Sequence, residues 1–337
     1  VPESGIPLAS GSAVPEESVP AHVPRGWRPK PWFRLAAGLL TFGAIVWYLI
    51  PSWSELTVRV DLALPFLAIG LAGAAAAHVA VAARWKLLAE SMGGNPLSLW
   101  AYLHSLLVTR FLGQFVSSLA MDLVGRGVAL RSVGSRRGVG HATTLVVLER
   151  IFDVIIPLIL VGWALAVRSP LLEPYAVPLL VAGATLFVVL ATPGLAPLAR
   201  VAMAIYARLA HAPTAGLLVD VTPAVSAKVA LLGVARFGAV LVQFAGIGAG
   251  IGVFLPWTAW TASTPIAQLT ALVGVTPGGL GVVEAGWWAG LAWVGVERST
   301  IGLFLLAQRT ALIAFLGSLA LLSWPLARGG STRRKAR

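Results

Sequence analysis

The sequence predicts an all-α polytopic membrane protein, and three observations carry that prediction. Of its 337 residues 58% are hydrophobic and only 11% charged, whereas an ordinary globular domain has about 25% charged residues. Apolar runs such as 35–50, 139–167, 177–191 and 229–255 approach or reach the roughly 20 residues of a bilayer crossing. Those runs are continuously apolar instead of alternating, which favours helices over a barrel, because lipid requires backbone hydrogen bonds to close within each segment.

The same composition excludes several functions. The net charge of +12 does not indicate nucleic acid, since Lys and Arg cluster in short loops and form no single basic face. With no Cys, there is no disulfide, thiolate metal site or cysteine nucleophile. The five His are scattered without metal-ligand spacing, so neither metal nor cofactor is expected.

In chain order, residues 1–30, with Glu3, Glu16, Glu17 and repeated Pro and Ser, lack the layout of a signal peptide and read as a disordered cytoplasmic segment. Residues 31–326 read as one transmembrane domain, and 327–337 as a basic cytoplasmic tail. The preference for Arg, Ala, Gly and Val over Lys and Ile points to a GC-rich bacterial genome and hence a bacterial plasma membrane. The positive-inside rule gives full spans near 35–50, 62–83, 141–167, 174–192, 229–255 and 299–326, with both termini cytoplasmic. Arg59, Arg168 and Arg298 then lie outside, Arg110, Arg150, Arg236 and Arg309 lie within membrane segments, and the other Lys and Arg lie inside. Residues 195–211, with Arg200 and Arg208, read as an amphipathic cytoplasmic helix.

Two segments, 97–124 and 256–297, each hold two apolar pieces of roughly 12 residues or a little more, about 18 Å of helix against a hydrocarbon core of roughly 30 Å. Each is expected to be a re-entrant hairpin; the alternative is two short complete spans, giving eight or more in all. The order span, span, hairpin, span then occurs twice, in 31–168 and 174–326, with opposite orientation. Such an inverted repeat places a substrate site where broken helices meet.

Charges inside the membrane are costly and normally pair, line water or act on a substrate, so they rank the candidate site residues. Arg150 and Arg309 fall near the midplane from opposite directions, and the planar fork of Arg suits a phosphate. Glu149 and Asp153 flank Arg150, so an internal salt-bridge staple is the competing reading for all three. Asp122 and Arg126 are spaced i,i+4 and are read as a pair anchoring the first hairpin. Arg84-Trp85 is read first as an interfacial anchor, with headgroup contact as the alternative. The run Pro277-Gly278-Gly279-Leu280-Gly281 breaks a membrane segment, which is tolerated only where protein or a water-filled cavity satisfies its polar groups. It is no nucleotide loop, since no strand precedes it and no Lys-Ser or Lys-Thr follows. Glu284, just beyond, is expected to bind a cation, relay a proton or pair with Arg309. Trp27, Trp32, Trp47, Trp53, Trp257 and Trp260 are expected at membrane boundaries, as an aromatic belt.

Taken together, Arg84-Trp85, Asp122 with Arg126, Glu149-Arg150 with Asp153, the 277–281 run with Glu284, and Arg309 resemble the lysylphosphatidylglycerol synthase transmembrane-region family over roughly 34–325. The chain departs from the family pattern at Ala120-Met121-Asp122, where Gly-Gly-Asp is usual, which leaves the tight hairpin backbone there in question. The resemblance implies a flippase-like domain, which in the family is associated with moving aminoacylated phospholipid between leaflets, although many members have no known substrate. The family's aminoacyl transfer belongs to a separate soluble domain with no counterpart in these residues, so no synthase activity is expected. The expected ligands are membrane lipids with an anionic phosphate headgroup, held by Arg150, Arg309, Glu284, Asp122, Arg126, Glu149, Asp153, Arg84 and the Gly278, Gly279 and Gly281 backbone. Two other functions stay open: an accessory subunit or scaffold for a separate cell-envelope glycosyltransferase or synthase, and a membrane-embedded transferase. A homo-oligomer is a further open alternative.

Overall fold

The computed structural model describes residues 40, 43, 47, 62–135, 139–210, 221–274 and 276–332. Among these residues the regular structure is helical, and the only β-type pairing is a lone bridge between Ser117 and Pro277. The helices are α1 (Leu64–Ser91), α2 (Leu99–Leu112), α3 (Ser118–Ala120 continuing through a π-turn at Met121–Gly125 into Arg126–Ser132), α4 (Val139–Ala166) and α5 (Ala176–Ala210). They continue with α6 (Pro223–Gly250), α7 (Trp257–Leu272), α8 (Val282–Trp293) and α9 (Arg298–Thr332).

Local chemistry sets several of these starts. The Ser98 hydroxyl accepts from the Ala101 N–H at 3.2 Å to begin α2. Thr222 does the same for Val225 ahead of α6, with Pro223 in the first turn, where its missing N–H is not needed.

Four helical segments are long and apolar enough to cross a membrane: Leu64–Ser91, Glu173–Ala202, Pro223–Gly250 and Arg298–Ala327. This is fewer than the six full spans expected, for two reasons. The expected span at 35–50 falls outside the described residues except at three positions. The expected span at 141–167 is present as α4 and has the length, 28 residues, but Glu149, Arg150 and Asp153 make its middle too polar for a plain lipid-facing span. The four apolar segments mark the protein as membrane-embedded.

Several boundaries differ from expectation. The span at 174–192 and the separate helix at 195–211 are one 35-residue helix, α5, which runs through Pro193 and Pro197; neighbouring groups can re-satisfy the backbone carbonyls freed by an internal proline. Likewise α9 continues past Pro325 to Thr332, into the expected tail. Trp260 is no boundary residue: it is buried, in an aromatic cluster with Trp287 and Phe304. Trp257 and Trp47 are exposed, and Trp27, Trp32 and Trp53 lie outside the described residues.

The most extensive helix pairing is α1 against α6. Small residues permit it: a β-carbon on Gly246 would stand 2.5 Å from the Gly70 nitrogen, and one on Gly73 would stand 2.7 Å from the Gln243 nitrogen. Without a hydrophobic driving force between helices in lipid, such backbone approach supplies the packing. Around this seam the contacts are reciprocal. The arm α2 of the first hairpin packs on α9, the last helix of the second half, while α7 of the second hairpin packs on α4, the last helix of the first half.

Candidate functional site: an arginine cluster beside a hairpin junction

The segments 97–124 and 256–297 each fold as helix, break, helix, called here the first and second hairpin, and their breaks meet. The Gly278 N–H donates to the Gly113 carbonyl at 2.7 Å and, more weakly, to that of Val116 at 3.2 Å. Ser118 Oγ donates to the Gly274 carbonyl at 3.0 Å. Gly278, Gly279 and Gly281 all have positive φ, 59°, 70° and 82°, a region that side-chain-bearing residues enter only at a cost. The turn therefore needs these glycines, and a β-carbon on Gly278 would in addition crowd the Gln114 carbonyl at 3.1 Å.

Arg309 closes this junction from α9. Its Nη1 donates to the Gly278 carbonyl at 3.0 Å and to Gln114 Oε1 at 3.3 Å, while Nη2 lies 3.2 Å from Glu284 Oε1. Of the expected roles for Glu284, pairing with Arg309 is the one with a contact. Its other oxygen, Oε2, accepts from the Gly281 N–H at 2.7 Å, so this acid also caps the start of α8.

A larger group lies along α2, α3 and α4. Asp122, in the π-turn, accepts from Arg126 Nη2 at 3.0 Å, lies 3.5 Å from Arg110 Nε and bonds Arg150. Glu149 accepts from Arg126 Nη1 at 2.7 Å. Asp153 accepts from Arg84 Nη2 at 2.9 Å and lies 3.3 Å from Arg236 Nη1; Arg236 also donates to Gln268 at 3.3 Å. The Asp122–Arg126 pair is thus as expected. The staple within α4 is not what forms: Glu149, Arg150 and Asp153 each reach a partner on another helix, because α4 is packed on several sides and the cross-helix cations are nearer.

The interfacial reading of Arg84-Trp85 is overturned. α1 continues to Ser91, so both residues lie in the bundle and are fully buried. Trp85 packs edge-on against Tyr102, and the Arg126 guanidinium sits 5.6 Å from its ring centroid. The unusual Ala120-Met121 sequence also finds its reason. Both residues are in right-handed helical conformation, so no glycine is needed there, and the break comes earlier, at 113–117.

Five arginines, Arg84, Arg110, Arg126, Arg150 and Arg236, thus share three carboxylates, leaving a formal surplus of two positive charges among the described residues. Burial is graded across them: the Arg84 and Arg126 side chains are 1% and 2% exposed, against 13% for Arg236, 20% for Arg150 and 30% for Arg110. The inner two are enclosed by the bundle, and the outer three remain partly exposed. Arg84 Nε and Nη1 have no hydrogen-bond partner.

Among the described residues Arg150 pairs with Asp122 and Arg309 with Gln114, Gly278 and Glu284, so the two arginines share no partner and belong to separate groups. The first hairpin links these groups: Gln114 bonds Arg309 on one side and donates to the Arg110 carbonyl at 3.2 Å on the other, while Arg110 faces Asp122. Arg236, Arg110, Gln114 and Gln268 are the members that sequence ranking left out. The first two were legible as intramembrane charges, but the two Gln carried no signal of their own. Among the described residues no group of three or more His, Asp or Glu is arranged to hold a metal ion. Comparison with protein-family models, with curated proteins and with solved structures gives no match to this chain.

Proposed function

We propose that the chain is a flippase-like transporter that moves a phospholipid or lipid-linked precursor between the leaflets of a bacterial plasma membrane, with both termini cytoplasmic. The observation that carries this reading is the surplus of arginine over carboxylate, set within packed helices next to two broken hairpins. A charge at the bilayer centre costs on the order of 3 kcal/mol or more, and cations that the chain's own acids leave unbalanced call for an anion from outside. A phosphate headgroup supplies one, and arginine remains charged when desolvated.

The hairpin geometry supports the same reading. Broken helices that meet tip to tip are found in transporters built from inverted repeats. The reciprocal packing of α2 on α9 and of α7 on α4 favours 31–168 and 174–326 as two such repeats, and the resemblance to the lysylphosphatidylglycerol synthase transmembrane region points the same way. In this reading the headgroup passes the outer arginines of the cluster and then Arg309 as the junction opens, while the acyl chains stay in lipid.

The test is leaflet exchange of labelled lipids by the purified chain in vesicles, with folding measured on the same samples. Arg150→Gln and Arg309→Gln are expected to fold and to lose most of the exchange. Arg309→Lys should also be impaired, since a point-like ammonium cannot reproduce the two-pronged contact. Normal exchange in well-folded Gln variants would rule the reading out.

A further inference from the structure

Between α4, α5 and α6 lies an apolar slot of about 150 Å³, lined by Ile156, Trp163, Leu180, Ala184, Phe187 and Phe237 among others. A partly open apolar groove of this size and lining can accept a hydrocarbon group. Its position matters more than its size. Ile156 is one turn beyond Asp153 on α4, and Phe237 directly follows Arg236 on α6. A β-carbon on Gly233 would stand 3.1 Å from Ile156 Cδ1 and 3.7 Å from Arg84 Nη1, one of the two Arg84 nitrogens that make no hydrogen bond. The slot therefore begins where the arginine cluster ends.

We propose that the slot and the cluster form one lipid site, in which an acyl chain lies between α4, α5 and α6 and the outer arginines select a headgroup bearing two negative charges, a phosphomonoester or a diphosphate. This rests on the lipid-transport reading and narrows its substrate. The three carboxylates leave two positive charges unmatched, which a phosphodiester such as phosphatidylglycerol, with one negative charge, half-balances. A phosphomonoester carries close to two at neutral pH and balances them. A headgroup with a net positive charge would add to the surplus and is selected against, so the substrate differs from the aminoacylated phospholipid that the resemblance implies.

Equilibrium binding tests this apart from transport. The full chain in detergent is titrated with dioleoyl phosphatidic acid, dioleoyl phosphatidylglycerol and dioleoyl phosphatidylethanolamine, whose acyl chains are identical, and bound lipid is read by native mass spectrometry. Phosphatidic acid should bind about tenfold tighter than phosphatidylglycerol, the ratio that one further charge-assisted contact brings. Ala184→Phe, which fills the slot away from the charges, should weaken phosphatidic acid binding and leave competition by inorganic pyrophosphate unchanged.

Equal binding of the three lipids, or a preference for phosphatidylethanolamine, overturns the proposal. So does full competition by pyrophosphate together with no effect of Ala184→Phe, which would assign the cluster to a free anion. Leaflet exchange without the phosphatidic acid preference defeats this inference and leaves transport standing. The preference without exchange of any lipid does the reverse.

Discussion

The two hairpins present the same outline, helix, break, helix, with one carboxylate beyond each break, yet they use that carboxylate differently. Glu284 turns back on its own helix, capping the Gly281 N–H, and faces the single guanidinium of Arg309. Asp122 turns outward and gathers Arg110, Arg126 and Arg150 from three helices. The second hairpin is thereby a closed, charge-balanced latch, whereas the first belongs to a network whose cations outnumber its acids. In the proposed reading an anion is drawn to the first group and reaches the second only when the latch opens.

The largest expected effect tests that difference directly. Asp122→Asn keeps the shape but removes the charge shared by three arginines, and breaking a buried pair in this way costs about 3–5 kcal/mol. Glu284→Gln keeps an oxygen for the Gly281 N–H and strands only one guanidinium that already has the Gly278 carbonyl, so its cost should be nearer 1–3 kcal/mol. Denaturation of both variants in the same detergent checks the order. A Glu284→Gln protein as unstable as Asp122→Asn would mean that the second hairpin is no less dependent on its acid than the first.

The turn chemistry gives the next contrast. Gly278 has φ 59° and donates its N–H to the other hairpin, so Gly278→Ala should cost about 1–2 kcal/mol from backbone conformation alone. Gly113 occupies the equivalent break with φ −62°, where alanine is favoured over glycine by about 0.5–1 kcal/mol. Gly113→Ala is therefore expected to be the milder change, the gain offset by closeness to the Thr109 carbonyl at 3.0 Å. Thermal unfolding that ranks the two the other way would place the strain of the junction on the first hairpin instead.

How much of this was legible in the sequence follows from what each signal measures. Hydropathy located the apolar segments and both hairpins, because a break in a membrane helix leaves Gly, Pro and polar residues in an otherwise apolar run. It did not show that α5 continues through Pro193 and Pro197, since a proline removes one hydrogen bond and the surrounding helices decide whether the helix ends. The positive-inside rule treats every arginine near a span end as a loop residue, and so it misplaced Arg84 and Arg126, which are buried and paired with Asp153 and Glu149. Local spacing gave the Asp122–Arg126 pair correctly. It failed for Arg150, whose partner lies 28 residues away on another helix, because i,i+3 and i,i+4 neighbours compete with cross-helix partners that no sequence pattern displays. Pairing with Arg309, 25 positions further on, is among the roles the sequence suggests for Glu284. The geometry then gave Glu284 a second role, as a cap, that spacing did not suggest.

The smallest expected effect isolates the side-chain part of the junction. Gln114 bridges the two groups, accepting from Arg309 Nη1 at 3.3 Å and donating to the Arg110 backbone carbonyl at 3.2 Å. Both bonds are at the long end of the hydrogen-bond range, and the shorter backbone bond from Gly278 to Gly113 survives if the side chain is replaced. Gln114→Leu, close in size, should therefore lower stability by only about 0.5–1.5 kcal/mol, while loosening the hold of Arg309 on the first hairpin. If the junction is a latch that opens during transport, this variant should exchange lipid at least as fast as the parent. Slower exchange from a protein of nearly unchanged stability would show that Gln114 guides the headgroup from Arg110 to Arg309, and the contrast between an open first hairpin and a latched second one would give way to a single continuous path.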